Sequence, residues 1–163
     1  MHSENSRSMG CSFTGHRELG RIDYKRLHGI IDRAIAYAYE NGCRIFYDGG
    51  ALGFDLEAAE RVILFRRSHP DVRLILLLPC PEQAEHWSAS QKFRYENILR
   101  SADEVFYIDD HYSAGCMQRR NAELVRRADM LVAYLSHGRS GAGQTVAMAK
   151  RKGIPVFNLY GKE

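Results

Sequence analysis

The feature that most restricts the fold is an unbroken alternation of short apolar runs with segments of helical period. Cys11 to Thr14, Arg44 to Tyr47, Arg73 to Leu78, Glu104 to Ile108, Met130 to Leu135 and Ile154 to Leu159 have the length and composition of strands. From Asp23 onward, Leu27, Ile30, Ile31, Ala34, Ile35 and Ala38 recur at helical spacing, with Asp23 placed to cap the start and Asn41-Gly42 to stop the end. Leu56, Ala59 and Ile63 mark a second helix running to about Arg67. Residues 90–100, 117–127 and 143–152 carry three more. The run 73–78 is continuously apolar, as in a central parallel strand covered on both faces. Strand-helix alternation forces right-handed crossovers. The expected fold is therefore α/β: a single Rossmann-like domain over residues 10–163, with a mostly parallel sheet flanked by helices on both faces, behind a flexible tail at 1–9.

A chain of 163 residues can enclose a core without covalent staples. Cys11, Cys43, Cys80 and Cys116 lie far apart, with no C-x-x-C pair and no His partner at finger spacing, so neither a metal site nor a redox motif is indicated. The longest apolar stretch, Leu74 to Leu78, is too short to cross a bilayer, and the polar first nine residues do not resemble a secretory signal. A cytoplasmic protein with reduced thiols, no membrane partner, no cofactor and no metal is expected. The formal net charge of +3 is mild and its charges are interspersed, which argues against nucleic acid as a partner.

Three glycine-rich turns fall where strands hand over to helices: Thr14-Gly15-His16-Arg17, Gly49-Gly50-Ala51-Leu52-Gly53-Phe54-Asp55, and Gly138-Arg139-Ser140-Gly141-Ala142-Gly143-Gln144-Thr145. The first N–H groups of a helix lack intrahelical acceptors, and the helix dipole adds partial positive charge there. Glycine lets an anion approach such a terminus closely. In open parallel sheets ligands sit beyond the carboxyl ends of the strands, so topology brings all three turns to one edge. The spacing is neither G-x-G-x-x-G nor Walker A, which sets aside a dinucleotide dehydrogenase and a P-loop kinase or ATPase.

Around the turns, His16 offers a titratable donor and Arg17 a fixed charge for phosphate. Asp55, in the first turn of its helix, caps backbone N–H groups or accepts from a ribose hydroxyl, and Asp48 fixes the loop or faces the ligand. Arg119 and Asn121 diverge by about 200 degrees on a helix, which makes Arg119 the phosphate candidate and leaves Asn121 to tie loops together. Trp87 is available to stack on a base. Ser140, Gln144 and Thr145 bring side-chain donors to the third turn.

These motifs, together with Pro79-Cys80, Gln83 and Gly115-Cys116-Met117, resemble the YpsA-like branch of the SLOG superfamily, whose relatives include LOG phosphoribohydrolases and DprA-type DNA-processing proteins. The resemblance implies a nucleotide-derived ligand, such as a nucleotide, an NAD fragment or an ADP-ribose-like molecule, bound by a sensor or regulatory module. By analogy with LOG dimers it also leaves room for a homodimer. LOG enzymes carry a glutamate in their closing glycine motif. Here Met148 takes that position, which favours binding over turnover. An N-glycosidic hydrolase would need its acid from Asp48, Asp55 or Glu57, and DprA-like single-stranded DNA binding is the third alternative.

Overall fold

The computed structural model describes residues 8–163. Six strands form one parallel sheet: β1 (Met9–Gly15), β2 (Cys43–Asp48), β3 (Arg73–Leu78), β4 (Glu104–Tyr107), β5 (Met130–Tyr134) and β6 (Val156–Asn158), in the order β4-β3-β2-β1-β5-β6. The helices are α1 (Tyr24–Glu40), α2 (Phe54–Arg66), α3 (Ala89–Ser101), α4 (Cys116–Arg127) and α5 (Gly141–Lys152). The chain builds outward from β1 to β4, then crosses back to place β5 on the other side of β1. The switch in winding direction lies between β1 and β5.

Period-two alternation sorts each strand between two cores. Phe13, Phe46, Leu74, Leu76, Leu78 and Val132 face α1, α2 and α3, where Leu27, Ile31, Phe54 and Ile98 complete the larger core. Tyr47, Ile75 and Leu77 pack on Leu124 of α4, while Leu131 and Ala133 meet Val125, Val146 and Ala149 of α4 and α5. Burying each such aliphatic side chain is worth about 1.5–3 kcal/mol, so β3, apolar on both faces, anchors both layers.

Helix boundaries follow local chemistry. The Asp23 carboxylate accepts from the Lys25 and Arg26 N–H groups and opens α1, and Gly42 at φ +101° lets the chain turn away after it. Ser88 and Gln91 form a reciprocal capping box at the start of α3. A 3-10 turn at Pro81–Ala84, not evident from the sequence, bridges β3 and α3 because Pro81 starts a helical turn at no hydrogen-bonding cost. The first strand begins at Met9, inside the stretch expected as tail; the rest of that stretch up to residue 7 lies outside the described residues.

Among the described residues no helix is long and apolar enough to span a membrane.

Candidate functional site

Because β1 and β5 pair side by side while their following helices depart on opposite faces, their carboxyl ends leave a crevice. A cavity of about 560 Å³ occupies it, lined from the first turn by Thr14, Gly15, His16 and Arg17, from the second by Ala51 and Asp55, and from the third by Ser140, Gly141 and Gln144. Asn121 also reaches it. The three glycine turns do converge.

Their contributions differ from one another. At the second turn, Gly50 N–H donates to Asp48 Oδ1 at 2.8 Å, Ala51 N–H to Asp55 Oδ2 at 3.3 Å, and Phe54 N–H to the His16 carbonyl at 3.1 Å. Those amides are spent inside the protein. What the turn offers the cavity is a carboxylate. Gly53, at φ +79°, is required here, since a Cβ would collide with the carbonyl oxygens of His16 and Arg17.

Free amides are found instead at two helix starts. In α5, Ser140 Oγ takes the Gly143 N–H at 3.0 Å and the Ser140 carbonyl takes the Gln144 N–H, leaving Gly141 and Ala142 N–H without acceptors among the described residues. In α4, Cys116 and Arg119 N–H bond to the Ser113 and Gly115 carbonyls, leaving Met117 and Gln118 N–H open, and both residues line the cavity. Two positive dipole ends therefore face one space. Gly143 lets the third turn close over α5, because a Cβ there would strike the Gly138 carbonyl.

Beneath the cavity lies a charged cluster. Asp48 is fully buried, Asp55 is 5% exposed and Arg120 is 4% exposed. Arg120 Nη1 donates to the Gly49 carbonyl at 2.6 Å and to Gln83 Oε1 at 3.3 Å, and its Nε donates to Asn121 Oδ1 at 2.8 Å. Burial, reinforced by the Asp55 charge, raises the Asp48 pKa well above its ordinary value. Burial likewise lifts Asp55 to about 6, with Arg120, the Ala51 N–H and Arg17 pulling the other way. Asp48 Oδ2 and Asp55 Oδ1 have no hydrogen-bond partner. Of these two residues Asp55 also lines the cavity, and its orphaned oxygen is itself buried.

The remaining expected site residues are distributed as follows. Arg119 lies outside the cavity: its guanidinium pairs with Asp109, donates to Ser113 Oγ at 2.8 Å and to the Ala114 carbonyl at 3.1 Å, and so fastens the β4–α4 loop. Arg120, one position on, faces inward with Asn121 because both stand one turn before the buried Leu124 and Val125. Trp87 packs edge-on against Tyr95, ring centroids 5.1 Å apart, away from the cavity. Thr145 is fully buried and returns its hydroxyl to the Gly141 carbonyl at 2.9 Å. Gly49, Gly50, Gly53, Gly138 and Gly143 shape the loops without lining the cavity. Glu57 turns toward α1 and α3, bonded to His28 at 3.0 Å and Arg94 at 3.2 Å.

His16 serves as an acceptor rather than a donor at Nε2, receiving the Ser136 backbone N–H at 2.8 Å with Ser136 Oγ at 3.0 Å. Burial, and then the neighbouring His137 stacked at 4.6 Å, holds its pKa below the usual value and keeps the ring neutral. The charge at the rim is Arg17, whose guanidinium donates to the Met117 sulfur at 3.3 Å. Ser136, His137, Met117, Gln118 and Arg120 were not anticipated as site residues. Among the described residues no group of three or more His, Cys, Asp or Glu side chains is placed to hold a metal.

Sheet order, switch-point crevice and glycine turns together define a Rossmann-like protein. The model of the YspA SLOG family matches residues 14–152, and the chain belongs to that family. It is 30% identical over 138 residues to the SPbeta prophage-derived protein YoqJ of Bacillus subtilis, covering 77% of this chain and 79% of that one. It is 33% identical over 140 residues to a UPF0398 protein of Halalkalibacterium halodurans, covering 80% and 74%. Among solved structures it resembles DNA processing protein A from Helicobacter pylori, known for a single-stranded DNA binding mode, with a TM-score of 0.64 and 19% identity. That match covers 93% of this chain and 65% of the other, and at such identity it establishes the shared fold alone.

Proposed function

We propose that the β1–β5 crevice binds a phosphorylated nucleoside derivative and that the protein acts as a sensor or regulatory module. The observation that carries this reading is the presence, in the lining of one cavity, of unspent helix-start amides and of Asp55, whose carboxylate keeps an oxygen without a partner. The first suits an anion. The second suits a hydroxyl. A ribose phosphate presents both at a separation that one small cavity can span. Gly141 and Ala142 N–H, joined by Met117 and Gln118 N–H, hold the phosphate, and Arg17 neutralises its outer oxygens. Asp55 accepts from the sugar. Burial disfavours charge on both His16 and Asp48, which limits surplus charge beside the site.

A fluorimetric thermal-shift panel of AMP, NAD and ADP-ribose at fixed salt tests this. Ligand at a hundred times its Kd adds about 2.7 kcal/mol, which for a domain of this size raises Tm by about 5–10 °C. No shift across the panel, with folded protein, refutes the reading. Two alternatives are separated by two further measurements, free base released from the same ligands and DNA affinity against salt. Release of free base that disappears in Asp55→Asn would establish N-glycosidic hydrolysis, for which a carboxyl titrating near 6 is suited to give or take a proton. Single-stranded DNA binding, suggested by the fold shared with DNA processing protein A, would show an affinity falling steeply with salt and indifferent to mononucleotides.

A further inference from the structure

A second, smaller cavity of about 300 Å³ lies beside the first, along the seam between α4 and α5. Its lining is Gln118 and Asn121 on α4 and Gln144, Ala147, Met148 and Arg151 on α5. The α5 positions fall at i, i+3, i+4 and i+7, one stripe of the helix, and the α4 pair at i and i+3 faces it across the seam. The opposite stripe of α5, with Val146 and Ala149, is buried in the core; of the cleft stripe Met148 alone also packs against that core, half-buried, while Gln144 and Arg151 are exposed.

Gln118, Asn121 and Gln144 line both compartments, so the two cavities adjoin at these three side chains. The amide groups of Gln118 and Gln144 have no hydrogen-bond partner among the described residues, and the Asn121 Nδ2 group has none either, its Oδ1 being taken by Arg120. Three amides thus offer both donors and acceptors in the plane of the cleft. Met148 supplies a polarisable, conformationally adaptable surface of the kind that packs well against an aromatic ring. Ala147 keeps the entrance open. No carboxylate faces the cleft.

Building on the proposed function, we infer that the α4–α5 cleft is the nucleobase compartment of this site: the base lies against Met148 and its edge is read by Gln118, Asn121 and Gln144. The distances agree. Met148 stands seven residues beyond Gly141, about 10 Å along the helix axis, the span from a phosphorus to the far side of the base in a nucleoside monophosphate. The phosphate then rests on the α5 N-terminus, the sugar passes Asp55 and the base enters the seam. Recognition by amides, which can present either hydrogen-bonding sense, gives an uncharged heterocycle as the ligand group. Arg151 at the outer end favours ligands that carry a further anionic group beyond the base.

Methionine methyl NMR on the full chain tests this with AMP and ribose 5-phosphate as probes. Met117 borders the phosphate compartment and Met148 the cleft, so the two methyls report separately; a Met148→Leu variant assigns the second. Met117 is expected to shift with both probes, and Met148 to shift, by ring current, with AMP alone. In titrations AMP binds at least tenfold tighter than ribose 5-phosphate, and Ala147→Trp, which fills the cleft, removes that advantage while leaving ribose 5-phosphate within twofold. A Met148 methyl that ignores AMP while Met117 responds overturns the cleft assignment and leaves the phosphate site standing. Silence of both methyls overturns the binding reading on which it rests. Should Ala147→Trp fail to fold, the methyl shifts of the unmodified protein decide alone.

Discussion

Replacing Asp55 by Asn is expected to stabilise the protein while abolishing ligand binding. Asp55 is 95% buried, and burial lifts its pKa from the ordinary carboxylate value of 3.8 to about 6. A group whose pKa is raised on folding favours the folded state below its unfolded pKa, and that contribution is lost as pH rises through the folded pKa. At pH 7 the ionised carboxylate therefore costs about 2 pKa units at 1.36 kcal/mol each, or about 3 kcal/mol, an upper limit because the raised Asp48 lies beside it. Asparagine keeps the shape and can still accept the Ala51 N–H, yet carries no charge to bury. Urea denaturation at pH 7 should thus show the variant about 1–3 kcal/mol more stable. The gap should narrow as pH falls through about 6, the folded value, and close only below the unfolded value of 3.8, where the carboxyl is protonated in both states. The difference between the two proteins is the quantity to follow, since Asp109, Glu82 and Glu123 have depressed pKa values and act in the opposite sense on both. A variant less stable than wild type at pH 7, or a gap that does not change with pH, would refute the reasoning.

Arg120→Met removes the hydrogen bonds to Gly49, Gln83 and Asn121 together with the charge that tempers Asp55, and should lower stability by about 3 kcal/mol in urea unfolding. Arg119→Ala, by contrast, breaks an exposed pair with Asp109 and should cost less than about 1 kcal/mol, with AMP affinity unchanged in calorimetry. Gly143→Ala forces the third turn away from α5, and is expected to weaken AMP binding at least tenfold while circular dichroism shows the helices retained.

Much of the fold was legible because periodicity alone separates strands from helices: Leu74 to Leu78 splits cleanly between the two cores, as a doubly covered strand must. The α2 helix was harder to read. It is not amphipathic through its first turns, where Phe54, Asp55, Leu56, Glu57, Ala58 and Ala59 are all buried, because this segment packs against β1 and carries the site at once. Convergence of the three turns followed from topology. Which amides remained free did not, since that depends on Asp48, Asp55 and Ser140 rotamers competing for the same N–H groups. The inward arginine was recoverable: extending the Leu124 and Val125 stripe back one turn leads to Arg120 and Asn121 rather than Arg119. Ser136 and His137 carried no comparable signal, as they reach the cavity only through the pairing of β5 with β1.

The most direct test of the binding site is an amide NMR titration with AMP at constant ionic strength. Saturable shifts centred on Gly141, Ala142, Met117 and Gln118, with Gly50 and Ala51 moving little because their N–H groups are already bonded, are the expected result. Shifts that fail to saturate, or that fall on the exposed Arg126 side of α4 and leave the crevice undisturbed, would contradict it.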